Sequence, residues 1–344
     1  MRILIATDAW MPQVNGVVRT LSSLVDQLRE RGAEVLVVSP DAFRTVPCPS
    51  YPQIRLALVG LSTVGGIVRD FDPDAIHIAT EGPIGLQVRR LCLREGRPFT
   101  TSFHTRFPEY LRQRAPVPER LTYAWLRRFH APATACLVPT ETMRRDLADR
   151  GFRNLVTWTR GVDRRLFRPT EPLQLDLPRP VFLTVSRVAP EKNLQAFLNL
   201  DLPGSKLVVG DGPQLAEMIR RYPEVHFAGA KTGEALAHYY SSGDVFVFPS
   251  KTDTFGIVLI EALACGLPVA AFPEPGPLDV LSGTGAGVIS DDLRAACLAA
   301  LRLDPQDALR RARHYTWEAC ADVFLDASRR PARPAASFEL VAAQ

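Results

Sequence analysis

Two carboxylates, Asp253 and Glu261, stand eight residues apart in SKTDTFGIVLIEALACGLPVAAF (250–272). Thr254-Phe255-Gly256 and the apolar run after it predict a helix over 254–265. Eight residues is a little over two turns, so both carboxylates would project to one side. Ionised carboxylates accept several strong hydrogen bonds, which suits sugar hydroxyls. The small residues at the helix start leave backbone N–H groups for an anion. One element could thus hold phosphate, hexose and ribose together. The plainer alternative is an amphipathic helix stopped at Gly266-Leu267-Pro268.

Other candidates sit where strands end. Arg187 and Lys192, in VSRVAPEKN (185–193), follow the apolar run PVFLT. Both could reach one diphosphate, Arg as a fork and Lys as a point charge, or they form a solvated pair. His104 closes FTTSFH and could bond a sugar hydroxyl, stabilise developing charge, or be structural. Asn15-Gly16 opens a helix near Val17. Gly16 either lets backbone approach a phosphate or sugar, or makes a plain turn. A dinucleotide fingerprint would need three glycines there. Glu81, before Gly82-Pro83, reads as a helix-start acid in preference to an acceptor-facing carboxylate. The GxG of Val209-Gly210-Asp211-Gly212-Pro213 is too short to be specific.

These positions need a scaffold. Strands are expected near 2–8, 34–39, 54–58, 75–80, 98–103, 134–139 and 155–159, with helices at 16–31, 83–95, 118–130 and 141–150. The second half repeats the rhythm: strands near 181–187, 206–210, 225–228, 244–249, 268–272 and 287–289, helices at 191–200, 213–222, 233–242, 254–265 and 291–303. Such alternation predicts an α/β fold of two doubly wound, Rossmann-like domains facing a cleft. The Pro-rich, charged stretch 163–180 is the expected linker between domains 1–162 and 181–328, and 329–344 reads as a mobile tail. Ligands in such sheets bind at the carboxyl ends of the strands, here the cleft.

Composition removes several classes. No run of 18 apolar residues exists, so no spanning helix is expected. The start, MRILIATD, reads as a strand and not a signal peptide. Six scattered cysteines without a CxxC pair indicate reduced thiols and a cytoplasmic setting, and neither they nor the six His have metal-ligand spacing. Net charge is +4, but residues 1–170 carry 25 Arg, no Lys and 16 acids (net +9), while 171–344 carry 16 bases and 21 acids (net −5). The first half therefore suits an anionic partner, nucleic acid or an anionic membrane surface.

Taken in order, NGVVRTL, EGPIG, SFHTRFPEYL, RGVD, SRVAPEKNL, VGDGP and FPSKTDTFGIVLIEALACGLPV resemble the family-four glycosyltransferases of the GT-B fold over nearly the whole chain. The set is most similar to bacterial glycolipid glycosyltransferases and α-mannosyltransferases. The resemblance implies a nucleotide-diphosphate sugar donor, retention of anomeric configuration and no required metal or other cofactor. It implies that Arg187 and Lys192 hold the diphosphate, Glu261 the ribose, and that Asp253 faces the transferred sugar. Gly16 matches the glycine loop near the phosphates and His104 the histidine beside the hexose. Asp253 is one methylene shorter than the family's usual Glu. N–H groups at Thr254–Gly256, with Arg187 and Lys192, would stabilise charge on the leaving diphosphate. No carboxylate stands out as a covalent nucleophile, which is consistent with front-face transfer.

Residues 106–130, RFPEYLRQRAPVPERLTYAWLRRFH, interleave Arg106, Arg112, Arg114, Arg120, Arg127 and Arg128 with Phe107, Tyr110, Tyr123, Trp125 and Phe129. That suits the headgroup layer of an anionic membrane; alternatively the aromatics face the domain core. The expected activity is transfer of a hexose or hexuronic acid to a membrane lipid such as diacylglycerol, by a peripheral protein at the cytoplasmic leaflet, with no nucleic-acid partner. The alternatives are α-mannosyl transfer to a phosphoinositide or glycan, and a non-catalytic nucleotide-sugar-binding protein.

Overall fold

The computed structural model describes residues 1–330 apart from 14, 49–50 and 113–117, and the side chains of 51–54 and 110–112 also lie outside the description. So do all but the first two residues of the expected tail, and Arg112 and Arg114 of the basic segment.

Apolar runs with β-branched and aromatic residues form two parallel sheets with helices on both faces. The first lobe runs β1 (Arg2–Ala6), α1 (Gly16–Glu30), β2 (Glu34–Val38), an antiparallel hairpin of β3 (Thr45–Cys48) and β4 (Tyr51–Ala57), α2 (Leu61–Phe71), β5 (Ala75–Ile78), α3 (Pro83–Glu95), β6 (Thr100–Ser102), α4 (Phe107–Arg112), α5 (Glu119–His130), β7 (Ala135–Val138), α6 (Glu141–Asp149) and β8 (Leu155–Thr157). Its sheet order is β2-β1-β5-β6-β7-β8.

The second lobe runs β9 (Val181–Val185), α7 (Leu194–Leu198), β10 (Ser205–Val209), α8 (Leu215–Arg221), β11 (His226–Gly229), α9 (Gly233–Ser241), β12 (Val245–Phe248), α10 (Ile257–Ala264), β13 (Val269–Ala271), α11 (Pro275–Leu281), β14 (Gly287–Ile289), α12 (Leu293–Ala300) and α13 (Pro305–Ala312). Its order, β11-β10-β9-β12-β13-β14, is that of a dinucleotide-type Rossmann sheet. Every residue of β9 and β12 is buried, as strands covered on both faces must be.

The last helix, α14 (Trp317–Ser328), corrects the expected division at 181–328. It leaves the second lobe and packs on α1, β5 and β7 of the first. Cys320, Ala321, Phe324 and Ala327 join the core made by Ile3, Ile5, Leu21, Leu24 and Trp158. The Trp158 indole N–H donates to the Cys320 carbonyl at 2.9 Å. The segment 163–180 is not a free tether either. Phe167 is buried in the second lobe's core, and Leu175 and Leu177 pack against it.

Candidate active site in the cleft

In each sheet the strand order reverses at one place, and the groups with chemistry gather there. In the first lobe that place is β1/β5, followed by Asp8 and by Thr80-Glu81-Gly82. In the second it is β9/β12, followed by Arg187–Lys192 and by Ser250–Asp253. The two crevices face each other: the Thr254 hydroxyl donates to the His104 carbonyl at 2.7 Å across the seam.

The donor-side residues do not share one helix. Gly256 takes φ 83°, and an added Cβ would meet the Phe248 ring at 2.7 Å. The chain therefore turns at Gly256 and α10 starts only at Ile257. Asp253 lies in the loop four residues ahead of Ile257 and not at the helix mouth as expected, so helix periodicity does not set the side to which it projects. The helix expected at 191–200 also breaks. A 3₁₀ turn, Pro190–Lys192, is followed by Asn193 at φ 52° before α7 begins, and the Asn193 amide donates to the Pro249 carbonyl. That turn aims Lys192 across the switch point, where its ammonium meets Asp253 Oδ1 at 2.6 Å and Oδ2 at 2.9 Å. Arg187 is half-buried on the same loop.

Glu261, on α10, is 1% exposed. It accepts from the Tyr240 hydroxyl at 2.9 Å and meets Arg19 of the first lobe at 2.6 Å, a contact not aligned as a hydrogen bond. Burial pushes its pKa up, with Arg19 and Tyr240 opposing. Tyr240 is fixed in the core, but the Arg19 side chain is 41% exposed, so that partner can yield to hydroxyls.

Several expected contacts fall differently. The Phe255 ring is core, edge-on to Tyr315 at 5.8 Å between centroids, so only its backbone is available to a ligand. Gly16 is exposed with open space where a Cβ would stand. The first free N–H groups of α1, on Val17 and Val18, are already taken by the Asn15 side chain at 3.0 Å. Glu81 is not the helix-start acid. Asp8 accepts from the α3 N–H groups of Ile84 (2.9 Å) and Gly85 (3.3 Å), and burial raises its pKa against those bonds. Glu81 pairs instead with the buried His130 at 3.2 Å and keeps a quarter of its side chain exposed.

Sequence reasoning missed the glycines that bring the loops together. Added carbons at Gly210 and Gly212 would fall 1.8 Å from the Ser186 carbonyl oxygen and 2.3 Å from that of Val188. The short GxG thus lets the β10–α8 turn lie against the loop carrying Arg187. It also missed further contacts that shut the lobes: Arg106 to Glu274 at 3.2 Å, and Asp279 accepting from the backbone and hydroxyl of Thr142 and the N–H of Glu141 at the start of α6.

The basic segment divides. Arg106 turns into the cleft, held by Glu109 and Glu274, and Tyr123 and Phe129 are core. Leu121 and Trp125 are 57% and 43% exposed, with Arg120, Arg127 and Arg128 exposed on the same helix. No helix among the described residues is long and apolar enough to cross a membrane.

The two lobes separately match known domains: residues 14–166 match Glycosyltransferase Family 4, and 179–303 match Glycosyl transferases group 1. A GDP-mannose-dependent α-mannosyltransferase of Mycobacterium tuberculosis is 30% identical over 84% of this chain and 83% of its own. An α-monoglucosyldiacylglycerol synthase of Streptococcus pneumoniae is 28% identical over 89% and 79%. Among solved structures, sucrose-phosphate synthase from Thermosynechococcus elongatus superposes with a TM-score of 0.76 at 18% identity, covering 94% of this chain and 97% of that one. Anabaena HepE with UDP and glucose gives 0.69 at 16% identity, covering 94% and 98%. With two facing Rossmann-like lobes and this relationship, the chain belongs to the family-four glycosyltransferases of the GT-B fold.

Proposed function

We propose that the protein moves a hexose or hexuronic acid from a nucleotide-diphosphate sugar to a membrane lipid such as diacylglycerol, with retention, without a required metal, as a peripheral protein at the cytoplasmic leaflet. The observation that carries the donor half is the grouping at one seam of buried Glu261, the Lys192–Asp253 pair and Arg187. Glu261 would exchange Arg19 for the ribose hydroxyls. Arg187 and Lys192 would take the diphosphate and neutralise the charge that builds on it as the sugar's anomeric carbon–oxygen bond breaks. The acceptor hydroxyl would bond to that carbon and pass its proton to the departing phosphate oxygen. Asp253 suits electrostatic support of the cationic sugar better than covalent attack, because the Lys192 ammonium engages both its oxygens.

The acceptor half rests on α5. Leu121 and Trp125 are a turn apart among exposed arginines, an arrangement suited to an anionic interface. The diacylglycerol-glucosylating relative supports a lipid acceptor. A second reading, α-mannosyl transfer from GDP-mannose to a phosphoinositide or glycan, is favoured by the mannosyltransferase relatives.

Labelled GDP-mannose and UDP-glucose, each incubated with the protein and lipid extract in the presence of a chelator, test the reading. A labelled lipid supports it; turnover only onto water-soluble glycans, or only with added metal, contradicts it. The protein is expected to bind anionic but not zwitterionic vesicles, and to release in high salt. The double change Leu121→Ala and Trp125→Ala should weaken that binding by at least about tenfold, equivalent to about 1.4 kcal/mol. Equal binding to both vesicle types would remove the membrane role.

A further inference from the structure

Arg160 is 3% exposed, and no carboxylate among the described residues accompanies it. Its guanidinium donates to the carbonyls of Trp158 at 2.6 Å and Thr159 at 3.2 Å and lies 4.5 Å from the Trp158 ring centroid. Its other amino group meets His104 Nδ1 at 3.3 Å. A buried cation that spends its contacts on carbonyls and an imidazole is costly to keep, and burial lowers its pKa to about 10.

From that contact the hydrogens along a buried row can be assigned. Arginine only donates, so His104 Nδ1 must accept. A neutral ring then carries its proton on Nε2, which meets the Ser102 hydroxyl at 2.8 Å. The Ser102 hydrogen goes on to His77 Nε2 at 3.0 Å, nearer than its alternative acceptor, the Ala79 carbonyl at 3.5 Å. His77 Nδ1 then donates to the Thr100 hydroxyl at 2.8 Å. This arrangement gives each polar hydrogen of the row one acceptor with both rings neutral. Burial, with Arg160 adding for His104, holds both histidines below their usual range. The row is sealed below by Phe324 of α14, edge-on to His77 at 5.0 Å.

We infer that Arg160 is a positioning residue which, with Ser102 and His77, locks His104 as the neutral tautomer protonated on Nε2. The functional part rests on the proposed transfer and on the place beside the hexose that the family resemblance implies for His104. A neutral ring adds no positive charge where the transition state develops its own, and a fixed ring gives the sugar a rigid wall. Both nitrogens face protein, so the ring acts by shape, with the His104 backbone carbonyl bonded to Thr254, and not by a hydrogen bond to a sugar hydroxyl.

Two-bond ¹H–¹⁵N spectra of the ¹⁵N-histidine-labelled full chain read the tautomer without any substrate. His104, assigned through His104→Gln, should show an unprotonated Nδ1 and a protonated Nε2 at neutral pH. In Arg160→Met that signature should give way to mixed tautomers or to imidazolium. Turnover should then fall on the order of 10²-fold, as misplacement of an active-site group by about 1 Å can cause, with the donor KM unchanged. Arg160→Lys, which keeps a donor and a charge, should recover part of both. Ser102→Ala perturbs the row from the other end and serves if Arg160→Met does not fold. An Nδ1-protonated or cationic His104 in the wild type overturns the inference, as does an unchanged tautomer in the folded variants. Because the spectra need no donor, failure of the inference is distinguishable from failure to find transfer.

Discussion

Lys192→Ala is expected to lower sugar transfer by about 10²- to 10³-fold while the protein stays folded, the range measured when one preorganised charge-stabilising donor is removed. The side chain is not core: it keeps 22% of its surface exposed and reaches from a 3₁₀ turn whose shape depends on Pro190, Asn193 and the Asn193–Pro249 bond. Its ammonium donates to Asp253 Oδ1 at 2.6 Å and Oδ2 at 2.9 Å. Removal takes away the charge meant for the leaving diphosphate and strips Asp253 of two bonds. The loss should fall mainly on kcat, since the interaction strengthens as charge builds on the leaving group. Steady-state kinetics together with a thermal melt check this. A fall in transfer that tracks a fall in melting temperature, or an unchanged kcat, would count against the assigned role.

Phe324→Ala should destabilise the protein by about 3–5 kcal/mol. The ring is fully buried between His77 and Trp158, at 5.0 and 6.1 Å between centroids. No nearby chain is free to fill the space, because α14 is fixed by the Trp158–Cys320 bond and by the close approach of Gly161 to the Trp317 backbone. Chemical denaturation gives the size of the effect and hydrogen exchange gives its location. Protection should drop first in β5, β7 and α1, which α14 covers. If it dropped first in the second sheet, the helix would belong with the lobe that precedes it in the chain.

That helix shows where sequence reading stops. The strand runs were readable because a parallel strand buried on both faces must be almost wholly apolar, as VFLTV and VFVF are. The segment 317–328 is absent from the expected helices, and its apolar residues do not say which of two apolar sheets receives it. Its position after the second sheet assigns it to that lobe, whereas it packs on the first. Left-handed residues at Gly256 and Asn193 likewise cut the helices expected over 254–265 and 191–200. The side chains that had motifs, namely Arg187, Lys192, Asp253, Glu261 and His104, do gather at the cleft. Their partners carried no signal, since Arg19 lies 242 residues from Glu261 and Thr254 lies 150 from His104. Glu81 stands before Gly82-Pro83 as a cap would, while the cap comes from Asp8 in the loop after β1.

The central claim is that the second lobe grips an activated sugar by its ribose and diphosphate. Calorimetric titration of the full chain with GDP-mannose and UDP-glucose, repeated on Glu261→Ala, tests it most directly. At least one donor should bind the wild type, and the substitution should weaken that binding by roughly 10- to 100-fold, as loss of hydrogen bonds to a charged acceptor does. No measurable binding of either sugar nucleotide, or equal affinity in the two proteins, would contradict it.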